Sequence, residues 1–153
     1  MLQRVEVPVW AQILLQQRST QTRGRSEQSV SCLVLLAHGS KDPRWREPFE
    51  RLYLSLRADA GERVRMAYME FINPTLFEVV EECAAEGFRE IRVLPLFMAA
   101  GAHLATDVPE QVREIRRKLP NIRFEVLPPI GEDDRLVSLM KQLVREKLDA
   151  RVE

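Results

Sequence analysis

The chain is poor in the residues that most often mark a cross-linked or metal-rich protein: 153 residues hold two cysteines and two histidines. Cys32 and Cys83 make neither a C-x-x-C pair nor the dense framework of a small secreted scaffold, so a reducing cytoplasm is the expected setting. No apolar run approaches the roughly 20 residues that span a bilayer, and no membrane partner is expected. Charge of one sign is lacking too. Twenty-three basic and 23 acidic residues cancel, which removes the general basic field that nucleic-acid binding uses. The G-x-S-x-G elbow of α/β hydrolases, the G-x-x-x-x-G-K-[ST] phosphate loop and a G-x-G-x-x-G after the first strand are all missing. Histidine phosphatases place an arginine before their His-Gly as a phosphate clamp; here that residue is Ala37.

At 45% hydrophobic, the chain is long enough for one domain around a single core. Met1–Ser29 differs from the rest, with no lysine, six glutamines, four arginines and only Glu6 and Glu27 as acids. Residues 1–29 therefore read as a poorly ordered arm, within which Val9–Leu15 is apolar enough for a turn or two of helix, and 30–153 as the domain.

From Cys32 onward, short apolar runs alternate with longer amphipathic ones. Cys32–Ala37, Val64–Glu70, Arg89–Met98 and Phe124–Leu127 read as strands; continuous apolar runs suit parallel strands covered on both faces. Helices are expected over Pro43–Ala60, from Asn73-Pro74-Thr75 to Gly87, from Asp107-Val108-Pro109 to Leu119, and over Asp133–Leu148 with Leu136, Leu139, Met140, Leu143 and Val144 on one face. Four βα units imply an α/β fold: a four-stranded parallel sheet with helices on both faces and right-handed crossovers. All strand-to-helix loops then open on one edge, where such sheets bind ligands.

That edge gathers the chemistry. His38 follows the first strand, Glu70 ends the second, and His103 lies in the loop after the third. Two histidines and a carboxylate hold a borderline divalent ion while leaving coordination positions open, as a catalytic site requires. Each histidine has glycine nearby, Gly39 and Gly101, which lets a ligand approach the backbone. Partial burial at the strand end would suit Glu70 to accept a proton, although a helix-entry acid bonded to backbone N–H groups reads equally well. Lys41, Arg44 and Arg46 bring cations to the mouth, for a polycarboxylate or simply as a solvated helix face. Trp45 reads as core or as a flat wall for a planar ligand, Phe49 as core.

L-x-A-H-G-S-x-D-P-R at Leu35–Arg44, E-F-x-N-P-T-L at Glu70–Leu76 and P-L-F-M-x-x-G-x-H-x-x-x-D-V-P at Pro95–Pro109 resemble the short CbiX-type sirohydrochlorin chelatases, over Leu33–Leu148. The resemblance implies a single flavodoxin-like half of the class II chelatase fold, working as a homodimer because one half cannot enclose a macrocycle. It implies ATP-independent insertion of a divalent metal into sirohydrochlorin, Co²⁺ for cobalamin first, with Fe²⁺ for siroheme or Ni²⁺ as alternatives. Cobalt would be substrate, with no permanently bound cofactor. His38 and His103 would bind the metal, Glu70 would act beside them, and Ser40, Lys41, Arg44 and Gly101 would contact the tetrapyrrole. A non-catalytic metal carrier with the same histidines is the competing reading, and a half-domain serving only as an assembly partner a weaker one.

Overall fold

The computed structural model describes residues 31–99 and 101–149, with the side chains of 102–106 outside that description. The expected arm, 1–29, therefore lies outside the described residues.

Strand β1, Ser31–Ala37, is buried along almost its whole length, with Val34, Leu36 and Ala37 at 0% exposure. Only a central strand is covered on both faces in this way. It pairs in parallel with β2, Val64–Tyr68, through Leu35↔Met66, and with β3, Glu90–Pro95, through Leu36↔Pro95. Strand β4, Arg123–Val126, adds to the far side of β3, giving the order β2-β1-β3-β4. The chain reverses its direction of travel across the sheet between β1 and β3. The loops leaving those two strands flank a topological switch point.

Helix α1, Pro43–Ala60, starts as its sequence announces: Asp42 caps the Arg44 N–H, proline takes the first position, and Gly61 ends it at φ 59. It covers one face, with Tyr53 and the half-buried Trp45, Phe49 and Leu56 against Leu35, Ala37, Met66 and Tyr68. Trp45 thus joins the packing of α1 on the sheet, its ring 4.6 Å from that of Phe49, and is not a free wall for a planar ligand.

The opposite face carries the main core. Helix α2, Leu76–Ala85, and helix α3, Ala102–Lys118, place Leu76, Val79, Val80, Val108 and Ile115 against Val34, Leu36, Ile91 and Val93. Each such side chain contributes roughly 1.5–3 kcal/mol by leaving water. Cys32 and Cys83 meet in this layer, Sγ to Sγ at 3.4 Å, both thiols free and fully buried. They serve as small apolar residues whose weak S–H bond is satisfied internally. Arg65, in β2, is the one buried charge among the described residues, held by Glu86 at 2.6 Å and Glu62 at 2.8 Å.

Three boundaries near the site depart from the sequence reading, the third strand ending at Pro95 and not at Met98. Helix α3 begins at Ala102, not at Asp107, so Pro109 sits inside it and His103 lies in its first turn and not in a loop. A proline there removes one backbone bond, while Val108, Val112 and Ile115 keep the helix seated on the core. Strand β2 ends at Tyr68, leaving Glu70 in the following bend.

Helix α4, Asp134–Asp149, has the expected apolar stripe but buries no residue of it fully, Leu136 and Met140 being half-buried. Its main neighbour is the short 3-10 turn Ile130–Glu132 that precedes it. Leu139, Leu143, Val144 and Leu148 are all exposed, the last at 77%.

Candidate functional site

His38 stands one residue beyond β1 and is half-buried. Its ring lies on that of Phe97, centroids 4.0 Å apart and planes 23° from parallel. Phe97 is itself buried, in the segment after β3 whose Leu96 N–H bonds the Leu36 carbonyl at 2.8 Å. The imidazole is therefore seated by the neighbouring strand's loop, which fixes the plane in which its nitrogens present lone pairs.

The second loop is tied to the same residue. The Glu70 N–H donates to the His38 carbonyl at 3.0 Å, and the Met69 N–H to the Ala37 carbonyl at 2.9 Å. Gly39, at φ 96, makes this approach possible: a Cβ there would lie 2.0 Å from the Glu70 carbonyl oxygen. That glycine thus admits the protein's own backbone and not a ligand. The chain then turns tightly. The Ile72 N–H returns to the Glu70 carbonyl at 2.9 Å, with Phe71 between them at φ 66.

His38 and Glu70 thus come together at the backbone. The Glu70 side chain is exposed. The burial expected for it at a strand end is absent, because the strand stops two residues earlier. Buried Tyr68 is no alternative acceptor. Burial and the Glu50 charge push its phenol up to about 12, which keeps it protonated at neutral pH.

His103 occupies the first turn of α3, but its imidazole lies outside the described side chains, so the distance between the two histidines is left open. Among the described residues, no group of three or more His, Cys, Asp or Glu is placed to hold a metal ion.

The four expected tetrapyrrole contacts differ in what they are free to do. The Ser40 hydroxyl accepts the Asp42 N–H at 3.1 Å, shaping the entry to α1. Arg44 grips Asp42 through two nitrogens, at 2.7 and 3.0 Å, and the pair lowers the carboxyl and raises the guanidinium from their ordinary values. Much of that cation's charge is spent locally. Gly101 caps α3 with open space where a side chain would be. Lys41 is exposed, its Nζ 5.5 Å above the Phe71 ring centre.

Phe97 and Phe71 were the parts of this site that pattern reading did not assign. Phe97 sits within an apolar run that reads as strand, and only the sheet order shows that it lies under His38.

A model of the CbiX family matches residues 32–147, which takes in every described element but the first residue of β1 and the last two of α4. A sirohydrochlorin cobaltochelatase of Sulfurisphaera tokodaii is 32% identical over 116 residues, covering 76% of this chain and 92% of that protein. Among solved structures, a CbiX protein of Marinobacter aquaeolei VT8 named for cobalamin (vitamin B12) biosynthesis is 34% identical. It superposes with a TM-score of 0.69, covering 78% of this chain and 95% of that one. The sirohydrochlorin chelatase SirB of Bacillus subtilis subspecies spizizenii, in complex with cobalt, is 24% identical with a TM-score of 0.67. This chain spans 50% of SirB, a likeness that shows the shared fold.

Proposed function

This chain belongs to the CbiX family, and on that premise we propose that it inserts a divalent metal ion, Co²⁺ by preference, into sirohydrochlorin without a nucleotide. The observation that carries the reading is His38: a histidine at the switch point of a parallel sheet, its ring seated on Phe97 and its backbone bonded to Glu70.

In this reading, neutral imidazoles of His38 and His103 hold the incoming ion, and the fixed His38 ring lowers the reorganisation needed to bind it. The macrocycle docks over the strand ends, with Lys41 meeting one of its carboxylates and the missing side chain of Gly101 leaving room for the ring. Two pyrrole N–H protons leave as the metal enters; the exposed carboxylate of Glu70, whose backbone N–H bonds the His38 carbonyl, accepts one and solvent the other. Metal and protons balance without a phosphate donor, in keeping with the missing nucleotide motifs. A second copy of the chain completes the enclosure. The unburied stripe of α4 and SirB's doubled length support that copy, and the site acts as one half of a cytoplasmic homodimer.

The test is anaerobic absorbance of sirohydrochlorin with Co²⁺, Fe²⁺ or Ni²⁺. Wild-type protein should exceed the spontaneous rate, fastest with Co²⁺. His38→Ala and His103→Ala should each lower the rate by about 100-fold or more. Metal binding by wild type with no gain over the spontaneous rate for any ion would replace the chelatase reading with a carrier.

A further inference from the structure

Phe71 is held where its own fold gains little from it. It is 58% exposed, and at φ 66 it occupies the left-handed region, which for a bulky residue is a true outlier. The turn is not loose. Glu70 N–H bonds the His38 carbonyl, Ile72 N–H bonds the Glu70 carbonyl, and Gly39 is pressed against that same carbonyl. Ile72 packs into the core under α1 while Phe71 is turned out to solvent, one residue past the Glu70 N–H that bonds the His38 carbonyl. Strain that surrounding bonds over-determine, at an exposed ring next to a candidate site, points to use by a ligand.

In the loop after β3, Met98 follows the Phe97 on which His38 is seated and is 59% exposed. An exposed apolar side chain thus leaves each of the two loops tied to His38, Phe71 from the loop after β2, whose Glu70 bonds the His38 carbonyl, and Met98 from the loop after β3, whose Phe97 stacks on the imidazole. Lys41 adds a cation over the Phe71 ring.

We propose that Phe71 is the stacking platform for the macrocycle, with Met98 as a second apolar support and Lys41 pairing with a peripheral carboxylate. A flat conjugated ring edged by acids matches an exposed aromatic with an ammonium beside it, in shape and in charge. This rests on the chelatase reading above. Phe71 is a binding residue, and His38 keeps the metal without it.

The decisive variant is Phe71→Gly, because glycine accepts φ 66 without strain. Metal-free sirohydrochlorin binding should weaken by about tenfold or more, KM should rise accordingly, and kcat at saturation should stay within about twofold. The melting temperature should hold or rise. Lys41→Gln should weaken binding several-fold, and most at low salt. Unchanged binding in Phe71→Gly, with wild type active, overturns the platform alone. A lower melting temperature overturns it in favour of a structural ring, and loss of a dimer in sedimentation overturns it in favour of a contact between copies. Wild type that neither binds nor metallates sirohydrochlorin removes the chelatase reading and the platform together.

Discussion

At the scale of single residues, the tightest constraint near the site is Gly39. A methyl group there would meet the Glu70 carbonyl at 2.0 Å and would have to adopt φ 96. Gly39→Ala should cost about 2–4 kcal/mol, combining the conformational penalty with backbone displacement. Urea unfolding should show a lower midpoint at an unchanged slope. Sequence reading found this glycine but gave it the wrong neighbour, because the approach of Glu70 depends on a turn thirty residues further on whose strain no local pattern encodes. The position of His38 was legible: a buried run that stops before His-Gly, with a capped helix following, puts that residue at the exit of the strand. The seat beneath it, Phe97, was not, since its partner is set by strand order. The exposure of Glu70 was likewise hidden, because Met69 reads as strand while the ladder ends at Tyr68.

Elements were legible where a side chain announces the boundary. Asp42-Pro43 opens α1, and Thr75 with Glu78 makes a full capping box for α2. Helix α3 is capped by Gly101, which has no side chain to signal a start, while Asp107-Val108-Pro109 imitates one inside the helix. Helix α4 gives a titration test. The Asp133 carboxylate accepts from the Arg135 guanidinium at 2.9 and 2.6 Å and from its backbone N–H at 2.9 Å, which holds the carboxyl down to about 2. The folded value lies below the unfolded one of about 3.9, so its contribution is present above that value and fades as pH falls through about 2. An NMR titration of the Asp133 carboxyl should give a midpoint near 2, and Arg135→Ala should move it back toward about 3.9.

For the whole molecule, the sheet, its parallel sense and its helical cover followed from four repeated βα patterns, whereas the fate of α4 did not. Amphipathic spacing says that a face will be covered and is silent on what covers it. Leu143 and Val144 are 47% and 58% exposed, so the fold should tolerate a charge there. In sedimentation, wild type should run at twice the 17.8 kDa chain mass, while Leu143→Glu and Val144→Glu should run as monomers with an unchanged thermal melt. A monomeric wild type at all concentrations would remove the dimer from the proposed function.

The root of α4 is fastened in an unexpected place. Gly131 donates its N–H to the Phe97 carbonyl at 2.9 Å, and a Cβ on it would strike the Met98 carbonyl at 2.0 Å. Phe97 is the residue that seats His38, and Met98 follows it. The root of α4 and the ring of His38 therefore rest on one support, the Phe97–Met98 backbone, so whatever holds the helix also bears on the seat of the imidazole.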